Sequence, residues 1–485
     1  MNKTIKILLG SVFSLILLYV ILLIPDQPDP PAIRASEKPF IWNQNEQWQR
    51  LETQYLANRT ENPAKLDSFL TKEMQVISGL LSQITNNSLA PSDSIFKKLE
   101  ITFFQLAPAV AVRQHFKEKY LNLYSEIRIA VKHQSQQWDM TQSDSRITLY
   151  RLLYGMRAAT EEVLLQSDSL QFNPALFVEE TPSQTPSAEL FGIVVHSGDL
   201  LVSRGGFEIS ALISRGNDFP GNFSHVALVH VDEQTGVPSL IEAHIEKGVA
   251  IASSEQYKQD KKLRFMVLRP RADLPGLIKN PMLPHQVAEF ALSEAKIRHI
   301  PYDFKMNYED SSALFCSEVG SFAYRKMGIQ IWKSVSTISS QGIVNWLNAF
   351  GVENFVTQMP SDLEYDPQLA VVAEWRDPET LLQDHVYSAV MDALIEKADA
   401  GEELSYNPFM LPFIRIFKAY CWTMNQFGNV ERIPEGMSST IALKNQEFVS
   451  RFQKLRQSTE TKVDQFRKKN GYLPPYWQMI QLARE

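Results

Sequence analysis

Residues 310–328 read "DSSALFCSEVGSFAYRKMG". Phe315, Val319, Phe322, Ala323 and Met327 recur at helical spacing and define one apolar face. Asp310, Ser311 and Ser312 are cap-type residues before the run, and Gly328 is a natural stop after it. One of only two cysteines in 485 residues, Cys316, therefore falls in or near the first turn of an amphipathic helix. Unpaired backbone N–H groups and the helix dipole favour negative charge there, so that position is expected to lower the thiol pKa. Composition alone would make Cys316 a small buried hydrophobe. A nucleophile additionally needs a base.

Of the nine histidines, His225 is placed best. It opens the apolar run "HVALVHV" directly after the turn-rich "NDFPGNFS". A short loop, "DEQTG", leads to "VPSLIEAH", so the two runs read as an antiparallel hairpin. If Val231 pairs near Val237 or Pro238, His225 lies opposite residue 243 or so. A slip of one residue then sets Glu242 or His244 across from it. A carboxylate there would fix the imidazole tautomer and stabilise the imidazolium. The sequence thus offers Cys316, His225 and Glu242, with His244 as the alternative third member.

The hairpin belongs to a β-rich stretch. "GDLLVS", "HVALVHV", "SLIEAH", "GVAIAS" and "RFMVLRP" are short strands punctuated by Gly, Asp and Pro. "PHQVAEFALSEAKI" then returns to helical spacing before the cysteine helix. From about residue 40 to 168 the chain reads as a helical bundle, with helix starts at "NPAKLDSFL" and "APSDSIFKKL". A Ser/Thr/Pro-rich linker covers 181–187, and helices resume near residue 377. Four parts are expected: 1–31, an anchor and Pro-rich spacer; 40–180, helical; 188–376, catalytic; 377–485, helical.

The first part carries Lys3 and Lys6, then an uncharged run from Ile7 to Ile24. That length fits a single membrane span, and the flanking charges place the remainder outside. The expectation is a single-pass protein of a bacterial inner membrane with its bulk in the periplasm. A net charge of -7 argues against a nucleic-acid partner. Two cysteines build no disulfide framework, no CxxC or HxxxH spacing occurs, and neither metal nor cofactor is announced. Cys421, among aromatics in "FKAYCWTMNQF", reads as core.

The ordered set "GDLLVSRGG", "SHVALV", "LIEAHIEKGV" and "PYDFKMNYEDSSALFCSEVG" resembles the YiiX/YebB-like cysteine peptidases, circularly permuted relatives of the NlpC-type cell-wall peptidases. The resemblance covers about residues 190–345. It implies an α+β fold: a papain-like core of small antiparallel barrel or sheet plus cysteine helix, here flanked by helical regions. It implies Cys316 as nucleophile, His225 as base and Glu242 as orienting acid. It also implies that Tyr302, in "PY", helps hold the oxyanion, and that Gly198-Asp199 is a structural turn. The expected chemistry is thiol hydrolysis of an amide, peptide or N-acyl, in the cell envelope. Lipid acyl hydrolysis or transfer by the same mechanism is the alternative, as is a non-enzymatic scaffold docking protein partners through its helical flanks.

Overall fold

The computed structural model describes residues 3–27, 29–32, 45–167, 173–426, 432–434 and 436–485. The predicted beginning of the helical region at residue 40, and residues 168–172, lie outside the described residues.

The expected β-rich runs form strands where the alternation put them. The central sheet has seven strands: β1 (Ala175–Phe177), β2 (Leu200–Gly205), β3 (His225–Val231), β4 (Pro238–His244), β5 (Gly248–Ser253), β6 (Lys262–Pro270) and β7 (Leu369–Arg376). Their spatial order is β1-β7-β6-β2-β3-β4-β5, and every neighbouring pair is antiparallel. The sheet is open, with β1 and β5 at its edges, so the barrel alternative is corrected.

Side chains alternate between two covered faces. Val226, Leu228, Val202 and Met266 face the helices Leu283–Ile297 and Cys316–Lys326, meeting Val287, Ala288, Val319 and Ala323. Ala227, Val229, Leu201 and Val267 face the other way, against Tyr257 and the small hairpin that carries Leu190, Ile193 and Val195. By the same period of two, His225 shares the second face with Ala227, while His230 shares the first with Val226 and Leu228.

The expected structural turn at Gly198-Asp199 has a physical basis. Gly198 sits at φ +95, and a Cβ there would lie 2.3 Å from Pro284 Cβ. Asp199 is buried and takes both arms of Arg269, at 2.8 Å each, plus the His196 N–H.

The helical region before the sheet is capped as its sequence indicates. Asn62 caps the helix Pro63–Asn86 and Asp93 caps Ser94–Val112. Buried ion pairs tie both helical flanks to the sheet. Arg128 reaches Glu374 of β7 at 2.8 Å, and Arg157 pairs with Glu364. Arg204 and Arg264 share Asp384 of the helix Pro378–Asp399, at 3.0 and 2.6 Å. Burial pushes the Glu374 carboxyl up, but Arg128, Arg376 and Arg157 outweigh it and bring it down to about 2.

The membrane expectation is corrected. Among the described residues no helix is long and apolar enough to cross a membrane. The segment Lys3–Leu22 is helical. The following residues do not stand off as a spacer either. Asp26 pairs with Arg415 at 2.8 Å, and its N–H donates to Thr440 Oγ1. The single-pass, inner-membrane, periplasmic placement therefore falls with the span.

Candidate active site

The cysteine helix begins later than its polar prelude predicted. Asp310, Ser311 and Ser312 lie in the preceding loop, where Asp310 Oδ1 accepts the Ser312 N–H. The helix runs Cys316–Lys326, so Cys316 is its first residue. Glu318 caps that start by accepting the Phe315 N–H at 2.8 Å. Burial pushes the Glu318 carboxyl up to about 9, so it caps as a neutral acid near pH 7.

Where the thiol sits follows from the hairpin register. The β3–β4 ladder pairs Val231 with Pro238 and ends at Ala227 with Glu242. Continued by two residues, that register sets His225 directly opposite His244. Glu242 is therefore the diagonal neighbour of His225, on the same face, within reach of a long side chain. Glu242 Oε2 meets His225 Nε2 at 2.7 Å, and Oε1 meets His244 Nε2 at 3.0 Å. Both candidate third members are thus present, with the carboxylate between two imidazoles.

Beyond Ala227 the β3 backbone has no ladder partner in β4. The helix start enters there, and Cys316 Sγ approaches Ser224 O at 3.9 Å. The N–H groups of Val226, Ser317 and Cys316 itself also act on the sulfur and favour its thiolate. The sulfur thus lies against the backbone on both sides of His225.

Burial changes the electrostatics expected for this thiol. Cys316 is 4% exposed, and burial pushes its pKa up to about 11 despite those N–H groups. The predicted lowering by the helix terminus is therefore overridden. Burial also lowers the His225 pKa, against the opposing pull of Glu242. Burial would raise Glu242, but hydrogen bonds from His225 and His244 hold its carboxyl far below the usual range. Near pH 7 the resting set is a neutral thiol, a neutral imidazole and a carboxylate.

Tyr302 is half-buried, and its phenol pKa is pushed up by desolvation and, after that, by the nearby Cys316 sulfur. Its ring packs edge-on against Phe304 at 5.2 Å. Asp303 braces the loop by accepting the Lys305 and Asn307 N–H groups at 2.8 and 2.6 Å. Cys421 is buried, and both cysteines are free thiols. An aromatic-lined cavity of about 290 Å³ lies elsewhere, lined by Trp48, Tyr55, Tyr154, Glu162 and Tyr476.

Glu242→Gln keeps the volume but not the charge. Turnover is expected to fall on the order of 10²–10⁴-fold, the usual worth of a base that has lost its orientation. His244→Ala removes only the outer hydrogen bond, and the expected drop is far smaller. Steady-state kinetics on the two variants decides which is the third member.

A helix-terminal cysteine set against a histidine-bearing strand of an antiparallel sheet defines a papain-like thiol hydrolase in general. Residues 194–373 match the family described as permuted papain-like amidase enzyme, YaeF/YiiX, C92 family, and this segment belongs to it. Among solved structures, the chain is similar to one titled "Crystal structure of metalloprotein yiiX from Escherichia coli O157:H7". The two are 19% identical, the match covers 37% of this chain and 97% of that one, and the TM-score is 0.30. No curated protein matches the chain.

Proposed function

We propose that this protein hydrolyses an amide bond through Cys316, His225 and Glu242. His225 Nδ1 takes the thiol proton while the sulfur attacks the carbonyl. The Cys316 N–H and the Tyr302 hydroxyl meet the oxyanion. The imidazolium, stabilised by Glu242, then protonates the leaving amine. Water resolves the thioester, with His225 again as base. What supports this reading is the 2.7 Å hydrogen bond between His225 Nε2 and Glu242 Oε2, together with the Cys316 thiol lying 3.9 Å from the carbonyl of Ser224, the residue before that histidine.

The amide is favoured over a lipid ester by the amidase family of residues 194–373. Peptide and N-acyl amides are both candidate substrates. Acyl transfer is the second reading, since a thioester can pass to any acceptor that reaches it before water. The helical flanks, fixed to the sheet through Arg128, Arg157 and Asp384, are the surfaces left for protein partners.

Intact-mass measurement after mixing with activated esters and anilides tests the scheme. The expected result is an acyl adduct on Cys316 that accumulates within a turnover and decays in water. Absence of any adduct on Cys316, with hydrolysis unchanged in Cys316→Ala, would contradict it.

A further inference from the structure

β3 carries a second histidine, His230, five residues beyond His225. At about 3.3 Å per residue the two are roughly 17 Å apart along the strand, and they lie on opposite faces. His230 faces the helix Leu283–Ile297, whose first two turns present His285 and Glu289 four residues apart on one side. Glu233 approaches from the turn between β3 and β4.

The ligand atoms of His230, His285 and Glu289 all lie within 4.8 Å of one another, and Glu233 adjoins them at His285. His230 Nε2 is hydrogen-bonded to Glu289 Oε1. His285 Nε2 lies 3.3 Å from Glu233 Oε1 and 3.9 Å from Glu289 Oε1. The two rings stack with centroids 5.7 Å apart. Both histidines are buried, whereas the Glu289 and Glu233 side chains are 51% and 58% exposed. Behind His285, Nδ1 lies 2.8 Å from Ser197 Oγ, which also accepts the Val231 N–H at 3.3 Å. With Nδ1 protonated toward that hydroxyl, Nε2 turns its lone pair to the cluster. This is how a neighbouring group orients a metal-binding imidazole.

We propose that His230, His285, Glu289 and Glu233 form a zinc site that staples the helix Leu283–Ile297 to the β3–β4 hairpin. Two imidazole nitrogens and two carboxylate oxygens suit zinc, whose bonds of about 2.0–2.1 Å put tetrahedral donors about 3.3 Å apart. The separations from His285 Nε2 need only small carboxylate movements to reach that spacing. The other His-Glu-His group, at Glu242, differs. There one carboxylate oxygen bonds the His225 ring and the other lies 3.0 Å from His244 Nε2, so each oxygen faces a different ring. At the second cluster both ring nitrogens face the same oxygen, Glu289 Oε1, and a second carboxylate completes the set. The zinc does no chemistry at the thiol, because it sits at the far end and opposite face of β3. It holds the helix that leads into the Tyr302 loop.

The test uses the full chain, chelator-treated, carrying Cys316→Ser and Cys421→Ala so that no thiolate competes for metal. Zinc is titrated against a metallochromic dye, cobalt(II) is followed by visible absorption, and thermal melting is recorded with and without zinc. The expected result is one equivalent bound with sub-micromolar Kd, tetrahedral cobalt bands and a higher Tm. Glu289→Gln and Glu233→Gln change half-exposed side chains and leave the fold intact; each is expected to weaken zinc by roughly tenfold or more. His285→Ala is expected to lose the cobalt bands, and His244→Ala to keep them at one equivalent. Zinc binding unaffected by both Gln variants, or binding lost in His244→Ala, would overturn the proposal, as would no stoichiometric binding.

Discussion

His225→Ala is expected to lower turnover at neutral pH by about 10²–10⁴-fold, with the thermal midpoint little changed. The magnitude follows from the state of the thiol. Burial holds Cys316 up at about 11, so near pH 7 almost none of it is thiolate without help. His225, lowered by burial, is neutral there and free to accept the proton. The sign of the pH dependence follows. Activity rises as pH climbs through the lowered His225 pKa, below the ordinary histidine value near 6.5, and then stays level. Removing the imidazole leaves only the thiol's own ionisation, so the variant's rate keeps climbing into the alkaline range. The measurement is kcat/KM against pH for both proteins. A variant with the same acid limb as the parent would mean that another group is the base.

The second large effect is on stability. Glu364→Gln is expected to destabilise the fold by roughly 3–5 kcal/mol, the cost of leaving a buried charge without its partner. Glu364 is fully buried against Arg157 and within 3.4 Å of Arg128, two guanidiniums that are themselves 1% exposed. Asp384→Asn is expected to act similarly, because Arg204 and Arg264 both depend on it. Urea denaturation followed by tryptophan fluorescence reads the change. Replacing Arg157 and Glu364 together by apolar residues of similar volume is expected to recover part of the loss. The same network makes the protein acid-sensitive. The Glu374 carboxyl is lowered to about 2, so its contribution is full above the ordinary glutamate pKa and is lost as pH falls towards 2.

Much of this was legible in the chain. The hairpin that carries His225 and Glu242 and the helix that begins at Cys316 could be read because a hairpin fixes its own register and a helix announces its apolar stripe. The choice between Glu242 and His244 stayed open because a shift of one residue decides it. Continued two residues past its last pair, the register sets His244 opposite and Glu242 diagonal, and the carboxylate reaches both rings. β7 was missed because "LAVVAEWR" is covered on both faces and shows no clean in-out alternation. β1 is only three residues long and has no pattern of its own. The thiol pKa was misjudged because burial, a tertiary property, outweighs a helix terminus, a local one. The charge network was invisible because Arg128 and Glu374 are 246 residues apart. The second histidine cluster had one trace, the four-residue spacing of His285 and Glu289, and its other half lies on a different element.

The central claim is that Cys316 and His225 act as one unit. The direct test is the alkylation rate of Cys316 by iodoacetamide from pH 5 to 10, in the full chain with Cys421→Ala, with and without His225→Ala. The account predicts a rate that rises through a pKa below that of free histidine and then levels off, and a limb displaced towards 11 once His225 is gone. A Cys316 that titrates identically in both proteins would contradict it.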